Sequence, residues 1–299
     1  MPQPKSGTLL FVGCATLDSI ALVQDYPAAD SRTVAADFVT AGGGPAATAA
    51  VAAARAGART AFAGVLGTDE EGDRIITGLD AEGVDTSAVI RDPEVATGAS
   101  VIIVSKASES RAIVTRPVPP VRFPAGSRFH ELLRTAAWVH VDHLGWNAVA
   151  DLPGLRISVD AGNPIPSFSP QGVELYVPTI ERLRAEYGDD LAPEVLLQRA
   201  IDGGASAVVA TAGSDGAWGL ERDGIPFHVP STPADIVSTL GAGDVYHGAI
   251  LAAVAAGLPL VEAASFAGRT ASASCAGLDG RSMIPRQTVT SVLTANPTL

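Results

Sequence analysis

Three observations in this 299-residue chain predict an α/β fold with a mostly parallel central sheet and helices on both faces. Short runs that are apolar throughout, such as Thr8-Leu9-Leu10-Phe11-Val12-Gly13, end at glycine, the pattern of strands covered on both sides. From Ala136 onward such runs alternate with longer helical stretches, as βαβ units do. One segment departs from this: Ala99–Arg116 alternates apolar and polar residues around the polar turn 106–110, which predicts a hairpin with one solvated face. Residues 32–41 and 95–117 are therefore read as a small β lid. It is inserted into a large α/β domain made of residues 1–31, 42–94 and 118–299.

Taken in order, the first strand is followed by a more exposed one over 32–40. Ala41-Gly42-Gly43-Gly44-Pro45 then leads into an alanine-rich helix that runs to about Ala56 and stops at Gly57. Arg59–Val65 reads as a strand. Asp69 is placed as the N-cap of a helix to about Glu82, where Asp69, Glu70, Glu71 and Asp73 suit the positive end of the helix dipole. After the hairpin, Pro117, Pro119, Pro120 and Pro124 break the chain. Strands are expected at Trp138–Val141, Arg156–Asp160, Leu175–Val177 and Ala207–Ala210. Helices are expected near Thr179–Tyr187, Pro193–Asp202, Gly241–Ala256 and Leu260–Ala276.

Composition narrows the function classes. Hydrophobic residues make up 47% and charged residues 17%, enough apolar material for a packed core. A net charge of −12 repels a phosphate backbone and 5% aromatic residues leave little for base stacking, so no nucleic-acid partner is expected. The most apolar stretch, Ala249–Val261, is interrupted by Gly257 and Pro259 and is shorter than the roughly 20 residues of a membrane helix. MPQPKSG carries no apolar leader, and the two cysteines, Cys14 and Cys275, make no disulfide framework, so a cytoplasmic location and no membrane partner are expected. Lysine occurs only at Lys5 and Lys106, neither after a glycine-rich loop. The P-loop and the protein-kinase strand lysine are absent, as are H-E-x-x-H, C-x-x-C and G-x-S-x-G. Phosphate chemistry in this chain would fall to backbone amides and arginines.

Three segments are placed to carry chemistry. Asp235-Ile236-Val237-Ser238-Thr239-Leu240-Gly241-Ala242-Gly243-Asp244 precedes a long apolar helix. Its bare backbone and the helix dipole suit an anion, and Asp244 in the first turn is placed to take a proton from an attacking hydroxyl. The alternative is a tight turn with Asp244 as a dipole-matching cap. Gly42-Gly43-Gly44-Pro45-Ala46-Ala47-Thr48-Ala49 again allows close approach of backbone to ligand. It also fits G-x-G-x-x-A, the dinucleotide fingerprint, which would make the chain an oxidoreductase. Thr211-Ala212-Gly213-Ser214-Asp215-Gly216 follows a buried strand, where open α/β sheets bind ligands.

In this order the three resemble the ribokinase-like, or PfkB, family of carbohydrate kinases, from about Thr8 to Pro285. The family carries Gly-Gly before an N-terminal helix and D-T-x-G-A-G-D near the C-terminus; here these are Gly42-Gly43 and Ser238–Asp244. Asp279-Gly280-Arg281-Ser282-Met283-Ile284-Pro285 and the G-G-G-P-x-A-T-A form of residues 42–49 are similar to a subgroup that includes sulfofructose kinases and other ketose-type kinases. The resemblance implies a three-layer αβα sandwich with a β lid and ATP-dependent transfer of the γ-phosphate to a hydroxyl of a small sugar or sugar derivative: a ketose, a ribose-like sugar, a sugar acid or a sulfo-sugar. It implies Asp244 as base and the amides of Gly241, Ala242 and Gly243 as the anion hole. Asp18, Gly42 and Gly43 would hold the sugar, and Thr211, Gly213, Gly216, Gly241 and Gly243 the nucleotide. Mg2+ would arrive with ATP and be held by phosphates and water, with no dedicated protein ligand. Lids of this family pair between chains, which implies a homodimer through the lid.

The departures define the alternatives. Ser238 stands where the family has the aspartate that helps hold a monovalent cation, which leaves that cation open. Ala47 replaces a common asparagine, and Thr179-Ile180-Glu181-Arg182 replaces the mid-chain N-x-x-E. Thr115 and Leu144 stand where a sulfonate clasp would be, against sulfofructose itself. Arg116, at the end of the hairpin, is a candidate to bind an acidic group on the substrate, or else a solvated edge charge. A catalytically weak sugar- or nucleoside-binding protein and a nucleoside kinase are the other readings of the same fold.

Overall fold

The computed structural model describes residues 7–291. In chain order its elements are β1 (Leu9–Val12), β2 (Thr16–Val23), β3 (Asp37–Gly43), α1 (Pro45–Arg55), β4 (Thr60–Ala63), β5 (Val65–Gly67), α2 (Glu70–Ala81), β6 (Ile90–Asp92), β7 (Ala99–Ser105) and β8 (Ser110–Arg116). They continue with α3 (Arg128–Thr135), β9 (Trp138–Val141), β10 (Ile157–Asp160), β11 (Leu175–Val177), α4 (Ile180–Tyr187), α5 (Pro193–Asp202), β12 (Ala207–Thr211), β13 (Ala217–Glu221), β14 (Phe227–Val229), α6 (Ala242–Ala255) and α7 (Leu260–Ser274).

Eight strands form the main sheet in the order β14-β13-β12-β11-β10-β9-β1-β4. Every pair from β12 to β4 is parallel; the two hairpin pairs, β12 with β13 and β13 with β14, are antiparallel. Successive residues of the buried strands serve opposite faces. Leu9 and Phe11 pack with α1, α2, α6 and α7, while Leu10 and Val12 pack with α3, α4 and α5. This is the expected three-layer sandwich. Because the parallel strands share one direction, the ends of β1, β9, β10 and β12 meet along one edge of the sheet, the usual ligand edge of open α/β folds. No helix among the described residues is long and apolar enough to cross a membrane.

A second sheet of four strands, β3-β2-β7-β8, stands over that edge. Its composition corrects the boundaries read from the sequence. Thr16–Val23, placed in the large domain, is a lid strand in which Asp18, Ile20 and Leu22 face inward. The outer strand covers Asp37–Gly43 rather than 32–40, so Gly42 and Gly43 are also lid residues. Thr-Leu-Asp-Ser-Ile-Ala-Leu-Val carries polar residues on both faces, which hid its period of two. The inner face of the lid packs Ile20, Leu22, Ile102 and Val104 on Leu278. Arg111 of β8 donates to Thr239 Oγ1 at 2.9 Å, tying the lid to the segment before α6.

Candidate active site

Between the lid and the sheet edge lies a cavity of about 510 Å³. The lid contributes Asp18, Ser100, Ile102 and Thr115, the sheet edge His143, Leu144 and Asn163, and the helix starts Gly42–Pro45, Leu240, Gly241 and Asp244. Three of the four predicted sugar residues and two of the predicted catalytic residues thus meet in one place.

The floor is the start of α6. Gly241 adopts φ +72°, a left-handed turn that L side chains rarely adopt, and the helix has no side-chain cap. A Cβ on Gly243 would stand in open space, so nothing of the protein covers the helix end there. Of the three amides expected in the anion hole, that of Ala242 already donates to Thr239 O at 3.3 Å. Asp244, in the first turn, opens to the cavity on one side and is crowded by protein on the others. Burial, then the charge of Asp160, pushes its carboxyl up to about 7, against the opposing pull of His247 and Arg281. A carboxyl poised there suits a general base at neutral pH.

Asp18 is 7% exposed and its Oδ1 has no hydrogen-bond partner. Burial raises its carboxyl, against hydrogen bonds from Thr16 and Ser100. An orphaned buried acceptor on a cavity wall fits a ligand hydroxyl. Gly43 lies directly opposite, so close that a Cβ would strike the Asp18 carboxylate.

Two arginines lock the site, and neither role is visible in the sequence. Arg281 donates from Nη2 to Gly43 O at 2.8 Å and from Nε to Thr48 Oγ1 at 3.1 Å, joining the C-terminal loop to the first glycine motif. Burial lowers its pKa to about 10, so it stays a cation at neutral pH. Arg55 holds that loop from behind, donating to Arg281 O at 2.7 Å and Ile284 O at 2.8 Å while pairing with Glu82. Asp142, at the end of β9, accepts the amides of Cys14, Ala46, Leu144 and Gly145. It fastens the loop after β1 and the start of α1 to the sheet edge.

Of the predicted residues outside the start of α6, four do not line the cavity. Arg116 sits opposite Ala99, one position off the inward-facing Ser100–Thr115 pair, so the period of two turns it to the outer face of the lid. There it binds Glu71 at 3.0 Å, which corrects its assignment to the sugar cavity. Thr211, Gly213 and Gly216 do not line the cavity. Thr211 ends β12, with Gly213 and Gly216 just after it on the same sheet edge, and it pairs with Thr179, which caps α4 by accepting the amide of Arg182 at 3.0 Å. Among the described residues, no group of three or more His, Cys, Asp and Glu side chains is arranged to hold a metal ion.

A lidded cavity at the ligand edge of a parallel sheet, with a carboxylate at an open helix start, is the arrangement that suits an α/β phosphotransferase. The profile of pfkB family carbohydrate kinases matches residues 7–124 and 165–286. The chain belongs to this family, whose members transfer phosphate to a sugar hydroxyl. It is 29% identical over 295 residues to mouse ketohexokinase, covering 91% of this chain and 97% of that one. To ribokinase of Bacillus subtilis it is 25% identical, covering 92% and 94%. The fold is shared with Arabidopsis thaliana ribokinase, solved with ribose and ATP, at a TM-score of 0.80 and 23% identity over 96% of this chain and 99% of that one.

Proposed function

We propose that the chain phosphorylates a neutral sugar of the ketose or ribose-like type with Mg-ATP, with Asp244 as the general base. One observation carries the reading: Asp244 and the orphaned Asp18 carboxylate face one cavity at the uncapped start of α6. Asp18 accepts a sugar hydroxyl and orients the ring. Asp244 takes the proton from the hydroxyl that attacks phosphorus. The amides of Gly241 and Gly243 and the α6 dipole stabilise the negative charge that builds on the transferred group. Thr211, Gly213 and Gly216 line the nucleotide along the sheet edge, and Mg2+, held by phosphates and water, neutralises charge there. The lid excludes water, which would compete as acceptor.

The acceptor is neutral because no lysine or arginine of the described residues lines the cavity. Arg111, Arg116 and Arg281 are engaged by Thr239, Glu71, and Gly43 with Thr48. A sulfonate or carboxylate would enter without a cation beside it. The outer face of the lid exposes Phe38, Val101 and Val114, which supports pairing of two lids in a homodimer.

ADP release with Mg-ATP tests the reading across neutral ketoses, pentoses and nucleosides, each sugar set beside its acid or sulfonate counterpart. Turnover of neutral sugars is expected. Preference for an acid overturns the neutral acceptor, and silence with ATP still raising the melting temperature favours a binding protein.

A further inference from the structure

Directly behind Asp244 lies a buried polar layer that the reaction as described does not use. His247 stands one helical turn along α6, on the same face as Asp244. Its Nε2 donates to Asp160 Oδ1 at 3.2 Å, and the amide of Gly162 donates to the same oxygen at 2.8 Å. His140 is in register with Phe11 and Ser158, facing α6, and its Nδ1 is 3.2 Å from Ser158 Oγ. The His140 and His247 rings lie 5.6 Å apart. The side chains of His247 and Asp160 are only 6% and 7% exposed. A buried ion pair at a helix–sheet junction is a poor source of stability, since desolvation offsets its attraction. Its position suggests another use.

We infer that His247, held by Asp160, is a positioning residue for Asp244: a buried cation one turn behind the base that counters the negative charge of Asp160. This rests on Asp244 being the base. Burial opposes a charge on His247, but the charge and hydrogen bond of Asp160, with Asp244 behind them, raise its pKa. His140 is the neutral neighbour, held at about 3 by burial and by the His247 charge. The other groups around the cluster are Asp142 from β9, Cys14 after β1, Asp18 from β2 and Arg281 from the C-terminal loop. Among these only His247 and Arg281 are cations near the base, and Arg281 is engaged with Gly43 and Thr48.

Opposite signs follow for the two partners. In His247→Asn the Asp160 charge is unbalanced, so Asp244 holds its proton longer and the acid limb of the kcat–pH profile moves up by about one pH unit. In Asp160→Asn the anion is gone while the charge of Asp244 still holds a proton on His247, so the limb moves down by a similar amount. The neutral double variant returns towards wild type, because the two effects are coupled. Kinetics between pH 5 and 9 read this, and 13C titration of the Asp244 carboxyl in the unliganded protein reads the same order without turnover. Shifts of one sign, or none in folded variants, overturn the inference. If no sugar is turned over while the carboxyl titrations keep this order, the proposed reaction fails and the electrostatic role stands. Should a variant fail to fold, the 15N signals of the wild-type His247 ring decide, and a neutral imidazole at pH 7 overturns the pairing.

Discussion

Two helices, α1 and α6, begin at glycines beside the same cavity, and they are finished differently. At α1, Gly44 turns with φ +89°, where a Cβ would meet the backbone of Cys14 and Ala15. Pro45 has no N–H to offer, the amide of Ala46 goes to Asp142, and that of Ala47 goes to Cys14 O. At α6, no side chain caps the helix and the space beyond Gly243 is empty. The protein's own carboxylate thus closes one helix start and leaves the other open for an anion. The sequence fits a dinucleotide fingerprint at α1, yet the amides that fingerprint needs are already spent. Small residues before a helix mark a possible anion site; only the partners of the first amides tell whether it is vacant.

The comparison breaks first at Asp244. Asp244→Asn is expected to lower kcat by about 10²–10⁴-fold, the usual contribution of a positioned general base, while ATP and sugar still raise the melting temperature. Unchanged turnover removes Asp244 from the reaction. The wild-type kcat/KM is expected to fall below pH 7, as the base of the free enzyme takes up its proton. The stability effect has the opposite sense. The folded carboxyl keeps its proton to about 7, while the unfolded one, at 3.8, loses it earlier. The folded state then binds more protons between those values, and stability falls as pH rises through the window. Asp244→Asn should therefore melt higher than wild type at pH 8, with the gap closing at pH 4.

The glycines sharpen the contrast. Gly243→Val should fill the open space, leave the melting temperature within a few degrees and lower kcat by about 10²-fold, as loss of an oxyanion site does. Gly44→Ala should do the reverse, costing about 1–3 kcal/mol of stability in urea unfolding because the backbone conformation and the contact with Cys14 both exclude a side chain. The smallest effect on turnover belongs to Asp142→Asn. It turns a four-fold acceptor partly into a donor facing amides, for about 1–3 kcal/mol of destabilisation, and moves the acid limb down slightly because the Asp142 charge helps to raise Asp244. A shift as large as that of the His247 variant would place Asp142 in the proton chemistry rather than in the closure of α1.

Much of this architecture is legible in the sequence because it rests on local pattern. Apolar runs place β1, β9 and β11, Asp69 marks the start of α2 by accepting the amide of Gly72, and the two glycine motifs mark the helix starts at the cavity. β2 escapes because its inward face carries Asp18 and Thr16 beside Ile20 and Leu22. β13 and β14 escape because they are short and lie among glycines and prolines. α3 escapes although Phe129, Leu132 and Leu133 follow helical spacing, since its eight residues lie close after a proline-rich stretch. The clasps of Arg281, Arg55, Arg111 and Asp142 are contacts between residues far apart in the chain, and no local spacing encodes them. For Arg116 the strand period, counted from the inward-facing Ser100–Thr115 pair, would have given the face.

Arg281 reaches back 238 positions to Gly43 and 233 to Thr48. On the ribosome, the first glycine motif is therefore made long before the residue that fastens it. Until α6 and α7 emerge, one apolar face of the parallel sheet is covered only by α1 and α2, and Leu9, Phe11 and Phe62 wait for Ile250, Ala264 and Phe266. Such late closure raises contact order, slows folding and leaves the nascent chain exposed to aggregation. A nascent chain that stops short of Arg281 has every residue that lines the cavity but not the clasp that ties the C-terminal loop to Gly43 and Thr48.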